Sequence, residues 1–254
     1  YPFAILMMKK DINHIHLESV SSTNSYLLGH KSSIDDRMTV VTADYQTAGK
    51  GQGTNRWESE PGKNLLFSIL IHPKSISANR QFVISMAISM AIRDALSEYI
   101  DDVHVKWPND IYYQDKKICG ILIENNLSGN SIKDCVIGIG VDVNQRLFLS
   151  DAPNPISMYN ILGHETDLNE LLNTIVDKFD FYLYDLEINQ NTMLKTQYLL
   201  SLYRKSRTHP YVDQNGAFMA DLVTVQDDGH LVLKDSENKI RKYAFKEVAF
   251  IINK

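Results

Sequence analysis

The chain has 254 residues, 44% of them hydrophobic, and a net charge of -5. This length and composition allow a sizeable core without disulfides or metals, and the acidic balance argues against a nucleic-acid partner. Two cysteines, Cys119 and Cys135, are too few for a disulfide framework, and no apolar run approaches the roughly 18 residues of a membrane span. We therefore expect a cytoplasmic protein that binds neither DNA nor membranes.

The first part of the chain alternates strand and helix signals. Residues 1–8 are apolar but lack a basic leader, so we do not expect a secretion signal. A short strand is predicted at 12–19, and the small polar residues at 21–24 are typical of a helix N-cap. A compact strand at 38–43 precedes a Gly-rich polar loop at 49–64.

The middle of the chain predicts the core. The apolar run Leu65–Ile71 predicts a buried strand, and apolar spacings of three and four over 79–99 predict a helix whose methionines belong to the core. Further strands are predicted at 103–106, 110–113, 118–124 and 135–143, followed by irregular chain around Pro153 and Pro155 and helices at 167–186 and 190–203.

The pattern changes near residues 204–211. Four β-rich runs separated by turn signals follow, at 217–226, 230–233, 240–245 and 248–252. Four or five short strands within about 50 residues predict a small barrel. We therefore predict an α+β fold, with a mixed β-sheet flanked by helices over 1–205 and a small β-barrel over 206–254.

The Gly-rich loop contains residues that suit an anionic ligand. Glycines at 49, 51 and 53 let backbone amides approach a ligand and form an anion nest. Lys50 and Arg56 add positive charge, and Trp57 offers a flat surface on which a base could stack. No Gly-Lys-Ser/Thr ends the segment, so it is not a P-loop. Taken alone, it is better explained as a mobile surface loop.

Two further segments are unusual for strands. Residues 106–110, Lys-Trp-Pro-Asn-Asp, are poor strand material, which indicates that something other than local propensity selects them. Lys117 precedes an apolar strand, so its ammonium could meet a carboxylate or phosphate at the end of the sheet, although a solvated lysine is the simpler explanation. Glycines 138 and 140 alternate with apolar residues, which indicates close packing of a ligand or a helix against one face.

Together and in this order, the segments resemble the biotin protein ligases. The matching blocks are Ser-Thr-Asn at 22–24, the Gly-rich loop with its tryptophan, Lys-Trp-Pro-Asn-Asp at 106–110, Lys-Ile-Cys-Gly-Ile-Leu-Ile-Glu at 117–124 and Gly-Ile-Gly-Val-Asp-Val-Asn at 138–144. The resemblance implies a class II synthetase-like catalytic domain with an SH3-like C-terminal domain. Because the first motif arrives by Ser22, it also implies the monofunctional type, without the DNA-binding domain of the repressor-type ligases.

The resemblance implies a biotin–[acetyl-CoA-carboxylase] ligase. Such an enzyme uses ATP and Mg²⁺ to convert biotin to biotinyl-5′-AMP, and then transfers biotin to a lysine of the biotin carboxyl carrier domain of a carboxylase. An exposed sheet edge could pair with that carrier or with a second copy of the chain, as in a homodimer.

The resemblance also implies roles for individual residues. Lys117 and Asp110 would be catalytic, Lys117 by contacting the biotin carboxylate and the α-phosphate, and Asp110 by orienting or deprotonating the acceptor amine. The implied biotin site is Ser22, Thr23, Asn24, Gln46, Lys50, Gly51, Gln52, Lys117 and Gly120. The implied ATP site is Lys50, Asn55, Trp57, Lys117 and Asp142, with Asp142 also a candidate Mg²⁺ ligand.

The chain departs from the family pattern in two places. Many relatives carry two or three arginines in the Gly-rich loop, where this chain has Lys50, Gln52 and Asn55. Fewer fixed charges should weaken the loop's hold on phosphates, although Arg56 could compensate. Asp142 stands where relatives commonly have asparagine, and a carboxylate there would favour Mg²⁺ but repel phosphate when no metal is bound.

Two alternatives remain open from the sequence, and a third is not expected. A lipoate ligase or octanoyltransferase shares the fold, and residues 117 and 119 of a strand project to one side, so Cys119 could act as a nucleophile; a small core residue is the simpler explanation. A non-enzymatic binder is supported only by the altered loop charges. His14 and His16 form a His-x-His pair without a further nearby ligand, so we do not expect a metal enzyme.

Overall fold

The computed structural model describes residues 12–34, 37–73, 75–150, 152–188 and 192–252. The expectation for residues 1–8 and the predicted helix start at residue 190 lie outside these ranges. Within them, no helix is long and apolar enough to cross a membrane.

A seven-stranded mixed sheet forms the larger part of the fold, in the order β1-β2-β3-β7-β6-β5-β4. β1 and β2 pair in parallel, whereas the other neighbours are antiparallel. The sequence placed these strands correctly but made β6 and β7 too short, because the polar end of their hairpin lacks an apolar pattern. The strands are β1 Ile12–Val20, β2 Met38–Gln46, β3 Leu65–Ile71, β4 Val103–Lys106, β5 Asp110–Tyr113, β6 Lys116–Ser128 and β7 Ser131–Val141.

Five helices lie within the described ranges: α1 Thr23–His30, α2 Phe82–Leu96, α3 Met158–Leu162, α4 Leu168–Ile188 and α5 Thr192–Leu200. α4 begins after Asp167, whose Oδ1 accepts the backbone N–H groups of Asn169 and Glu170 at 2.8 and 3.0 Å, as an N-cap does. The sequence prediction missed α3. It begins at a capping box on Ser157 and is too short to show a helical period.

The two faces of the sheet carry different residues because side chains alternate along each strand. One face presents Phe67 and Ile69 to a core shared with α2 and α4. The other presents Leu70 to Leu27 of α1. Further along this second face, Ser68 is paired with Gly138, so large apolar side chains give way to small ones. The face is therefore open beside the start of α1.

A five-stranded antiparallel sheet follows, in the order β11-β10-β9-β8-β12. The sequence prediction missed β8, because its second residue is a proline at the expected domain boundary. The α+β fold class is confirmed, and the small C-terminal sheet is consistent with an SH3-like unit; the division at 205/206 stays a prediction. The strands are β8 His209–Asp213, β9 Gly216–Val225, β10 Leu231–Asp235, β11 Ile240–Tyr243 and β12 Val248–Phe250.

Trp107 joins the two sheets. It is buried, and its indole Nε1 donates a hydrogen bond of 2.8 Å to the carbonyl of Gly229, in the turn between β9 and β10. Its ring also meets the edge of the Phe245 ring at 6.4 Å. The Lys-Trp-Pro-Asn-Asp segment is therefore fastened to the C-terminal sheet, which explains a large aromatic residue at the end of β4.

Replacing Trp107 with phenylalanine should lower the free energy of unfolding by about 1 kcal/mol, because the Gly229 carbonyl loses its donor while the ring is largely retained. Trp57→Phe is the matched control, since Trp57 Nε1 has no hydrogen-bond partner among the described residues. Urea unfolding, followed by circular dichroism, measures the free energy of unfolding of both variants. If the free energy of unfolding fell equally in the two variants, the Trp107 hydrogen bond would contribute nothing to stability.

Candidate functional site

A cavity of about 1030 Å³ lies on the open face of the large sheet. The start of α1, the Gly-rich loop, the Lys-Trp-Pro-Asn-Asp segment and one turn of the C-terminal sheet enclose it. Every residue that the sequence assigned to a site lines this cavity, namely Ser22, Thr23, Asn24, Gln46, Lys50, Gly51, Gln52, Asn55, Trp57, Asp110, Lys117, Gly120 and Asp142.

The start of α1 provides a buried polar end. Ser22 is the N-cap, and its Oγ accepts from the backbone N–H of Ser25 at 3.5 Å. Thr23 donates to Gln46 Oε1 from both its backbone N–H, at 2.8 Å, and its hydroxyl, at 3.1 Å. Ser22, Thr23 and Asn24 are all buried. This end of the cavity therefore offers several fixed donors and acceptors out of contact with bulk water.

The floor of the cavity contains glycines because the side chains of Asn24 and Trp57 leave no room there for a Cβ atom. A Cβ on Gly138 would stand 2.3 Å from Asn24 Oδ1, and one on Gly140 would stand 2.5 Å from Trp57 Cε2. Real Cβ atoms do not approach other heavy atoms this closely. Gly138 thus accommodates Asn24 of helix α1, as the helix-packing explanation expected, whereas Gly140 accommodates Trp57 of the Gly-rich loop.

The Gly-rich loop folds as a small hairpin over the cavity. Lys50 and Arg56 form an antiparallel bridge, Gly51 N–H donates to the Asn55 carbonyl at 2.8 Å, and Trp57 N–H donates to the Gly49 carbonyl at 3.1 Å. The Lys50 ammonium donates to Ser25 Oγ at 2.9 Å, which ties the loop to α1. The loop is therefore an ordered roof with its own hydrogen bonds.

Two ammonium groups flank the carboxylate of Asp110. Lys117 Nζ lies 2.6 Å from Asp110 Oδ1, and Lys106 Nζ lies 3.8 Å from Asp110 Oδ2. Lys106 is largely buried, with its ammonium 5.1 Å from the ring centroids of Tyr112 and Phe250. Burial lowers the pKa of Lys106, and the charge of Asp110 opposes that shift. The sequence assigned Lys106 no role, although it opens the Lys-Trp-Pro-Asn-Asp segment.

Asp142 is buried beside this group. Burial raises the pKa of Asp142 well above its ordinary value; Lys117 opposes the shift and Glu58 adds to it. Asn64 Nδ2 donates to Asp142 Oδ1 at 3.2 Å. A raised pKa favours the neutral acid, which like asparagine can both donate and accept hydrogen bonds. The expected repulsion between Asp142 and a phosphate is correspondingly reduced.

The cavity does not have the donor set of a resident metal centre. Across the described ranges, no group of three or more His, Cys, Asp or Glu side chains is placed to hold a metal ion. Burial raises the pKa of Asp142, which disfavours the carboxylate form that a hard cation binds.

The expectation that Cys119 projects beside Lys117 is wrong. Ile111 pairs with Cys119 whereas Tyr112 pairs with Lys117, so the pairing register shifts between them and Ile118 is an extra residue on β6. Such a bulge reverses the alternation of side chains. Cys119 is fully buried in the apolar core, and Lys117 faces the cavity with Gly120, where a Cβ would stand 3.2 Å from the ammonium.

Several cavity residues escaped the sequence interpretation because tertiary packing alone brings them there. Phe148 follows β7, and Phe245 and Lys246 lie in the turn before β12. Lys246 has φ = 70°, a backbone conformation that is uncommon for a residue other than glycine. Its ammonium stands 3.1 Å from where a Cβ of Gly53 would be, so the C-terminal sheet reaches the roof loop.

Comparison with known proteins places the chain among enzymes of one kind. Residues 16–142, half of the chain, match the model of the Biotin/lipoate A/B protein ligase family. The Bifunctional ligase/repressor BirA of Bacillus subtilis is 27% identical over 215 residues, which cover 81% of this chain. The Biotin--[acetyl-CoA-carboxylase] ligase of Paracoccus denitrificans is 25% identical over 76% of this chain and 83% of its own length.

Solved structures agree with the fold. The biotin protein ligase from Aquifex aeolicus in complex with biotin and ATP superposes with a TM-score of 0.78 at 26% identity, covering 95% of this chain and 99% of that one. Two of the curated relatives are longer proteins: this chain spans 64% of the Bacillus subtilis protein and 40% of the Escherichia coli Bifunctional ligase/repressor BirA.

Burial raises the pKa of both Cys119 and Cys135, so neither thiol ionises near neutral pH. We expect iodoacetamide at pH 8 to modify the native protein at least about tenfold more slowly than the urea-unfolded chain, since each pKa unit changes the thiolate fraction tenfold. Intact mass measured over time follows the reaction. Rapid modification of the native protein at Cys119 would instead support the thiol mechanism.

Proposed function

The chain belongs to the Biotin/lipoate A/B protein ligase family, and from that premise we propose that it activates biotin with ATP and transfers it to a lysine of a biotin carboxyl carrier domain. The observation that carries this proposal is the position of Lys117. Its ammonium lies 2.6 Å from Asp110, above a glycine floor and between the polar end of the cavity and the roof loop.

The polar end suits the ureido ring of biotin. A ureido group has two N–H donors and a carbonyl acceptor, so its site must supply both kinds of partner in a dry pocket. Ser22, Thr23, Asn24 and Gln46 are hydroxyl and amide residues around this end. We propose that these residues bind the ureido ring, and that Lys50, Gly51, Gln52, Lys117 and Gly120 enclose the remainder of biotin.

The first half-reaction brings two anions together. The biotin carboxylate attacks the α-phosphorus of ATP, the bond to the β-phosphate oxygen breaks, and biotinyl-5′-AMP and pyrophosphate result. Like charges repel, so a positioned cation between them lowers the barrier most. We propose Lys117 as this cation, and the Gly-rich loop lines the same cavity.

The nucleotide would lie toward the C-terminal sheet. Lys50, Asn55, Trp57, Lys117 and Asp142 line the cavity; Trp57 offers its indole ring to adenine, and Asp142 in its neutral form can contact phosphate or ribose as asparagine would. Phe245 and Lys246 of the C-terminal sheet also line the cavity. The cavity residues do not fit a resident metal, so we propose that Mg²⁺ enters as part of the MgATP substrate; contact between that ion and Asp142 stays a prediction.

In the second half-reaction the carrier lysine attacks the acyl carbon of the mixed anhydride, and AMP leaves. The amine must lose a proton to become a nucleophile. We propose that Asp110 orients this amine or accepts a proton from it, because its carboxylate lines the cavity beside Lys117. The roof hairpin would exclude water, which otherwise hydrolyses the adenylate.

Lipoate or octanoate is the rival substrate within the family. The polar end of the cavity argues against it, since neither acyl chain can pair with buried hydroxyl and amide groups. The buried position of Cys119 on the core face also leaves no thiol beside Lys117 for an acyl-enzyme route. We therefore favour biotin.

The remaining assignments are proposals with indirect support. Two free, buried cysteines agree with a reducing compartment such as the cytoplasm. β1 and β4 are the terminal strands of the large sheet, and such an edge can pair with a carrier strand or with a second copy. The hydrogen bond between Trp107 and Gly229 crosses the proposed division at 205/206, so the two units would act together.

Incubation with biotin, MgATP and a purified carrier domain tests the function. We expect the carrier to gain the mass of one biotinyl group and pyrophosphate to appear only when biotin and ATP are both present. Lipoate and octanoate, run in parallel, should give neither. Binding of biotin without pyrophosphate release would identify a binder instead, and faster transfer of lipoate or octanoate would identify the rival enzyme.

Lys117→Ala should reduce biotin-dependent pyrophosphate release at least about a hundredfold, because the charge between the two anions is lost. Lys116→Ala is the matched control, since Lys116 is the exposed neighbour on the same strand. Both variants are assayed at saturating biotin and ATP. Turnover by the Lys117 variant at the control rate would contradict the role given to this ammonium.

A further inference from the structure

A buried hydrogen-bond network lies behind the polar end of the cavity. Ser68 is fully buried in the otherwise apolar strand β3. Its hydroxyl oxygen lies 2.5 Å from Asn24 Oδ1 and 2.7 Å from Thr23 Oγ1. On the other side of Asn24, the amide nitrogen Nδ2 lies 2.8 Å from Glu124 Oε2 and 3.4 Å from the Leu122 carbonyl.

These contacts allow one orientation of the Asn24 amide. An ionised Glu124 carboxylate and the Leu122 carbonyl only accept hydrogen bonds, so both protons of the Asn24 NH₂ group are used by them. Rotating the amide would bring its oxygen against the Glu124 carboxylate. Asn24 Oδ1 is therefore held on the side of Ser68.

The Ser68 hydroxyl completes the arrangement. It has one proton, and Asn24 Oδ1 can only accept, so at 2.5 Å the hydroxyl must donate to Asn24. Thr23 Oγ1 carries a proton of its own, which serves Gln46 or Ser68. Ser68 thus fixes Asn24 Oδ1 as an acceptor, and the Ser68 oxygen can accept from the Thr23 hydroxyl when that hydroxyl is turned away from Gln46.

A carbonyl oxygen has two lone pairs, and Ser68 uses one on Asn24. Asn24 and Gly138 both line the cavity, and Oδ1 lies close against the Gly138 backbone, where a Cβ would stand 2.3 Å away. The remaining lone pair of Oδ1 is the acceptor that we assign to an N–H group of the ligand. An acyl chain without such a group would cover the acceptor and leave it unpaired, which disfavours that ligand.

We propose that Ser68 and Glu124 are positioning residues that hold Asn24 as a hydrogen-bond acceptor and thereby set selectivity for an acid with a ureido N–H over an apolar acyl acid. The inference rests on the proposed function and deepens it. Burial of a serine does not by itself give such a role: Ser89 of α2 is equally buried, and its hydroxyl has no partner among the described residues.

Calorimetric titration with biotin and with lipoic acid, compared between variants, tests this role. Ser68→Ala removes the donor to Asn24 at nearly constant volume, and we expect biotin affinity to fall about tenfold with lipoate affinity unchanged. Glu124→Gln supplies an NH₂ group that can face Asn24 Oδ1, so the amide can rotate and biotin affinity should fall similarly. Ser89→Ala is the matched control and should retain the wild-type ratio of the two affinities.

A purely structural role would weaken both ligands alike or lower only the melting temperature, which is recorded for each variant. This inference alone would be overturned if Ser68→Ala and Glu124→Gln both kept the wild-type ratio of biotin affinity to lipoate affinity, while the wild-type protein releases pyrophosphate from biotin and ATP. A wild-type protein that binds biotin without turnover would instead refute the proposed function, while a ratio reduced in both variants would still support the positioning role.

Discussion

An ammonium held against a carboxylate on the open face of a β-sheet is the interaction on which the site depends. Lys117 could not reach Asp110 in a regular ladder, because the pairing of β5 and β6 would turn it toward the core. The extra residue Ile118 shifts the register and moves Lys117 to the cavity side, where it lies 2.6 Å from Asp110. One inserted residue thus sends the lysine into the cavity, on the opposite side of the strand from the buried thiol of Cys119.

The sequence predicts those helices and strands whose apolar residues follow a clear local pattern. The apolar run of β3 and the helical spacing of α2 are strong because both elements are buried over nearly their whole length. The outer half of the β6–β7 hairpin, the single-turn helix α3 and the strand β8 were missed. Their residues lie in polar or proline-containing segments, and hydrogen bonds to other parts of the chain decide their structure.

The site was predictable as a set of residues but not as an arrangement. Family motifs supplied every assigned residue, and the cavity brings them all together. The sequence could not show that Lys106 faces Asp110 from the other side, nor that Ser68, a small residue in an apolar run, connects Thr23 to Asn24. Both depend on the register between strands, which a one-residue bulge is enough to alter.

The charge balance of the cavity follows from residues distant in sequence. The roof loop has few fixed cations, which from the sequence alone should weaken binding of a phosphate. Two features offset this: burial raises the pKa of Asp142 and so reduces its negative charge, and the C-terminal sheet brings Lys246 to the roof loop at Gly53. Because Trp107 fixes that sheet to the segment carrying Asp110, the small sheet contributes to the electrostatics of the site as well as to its enclosure.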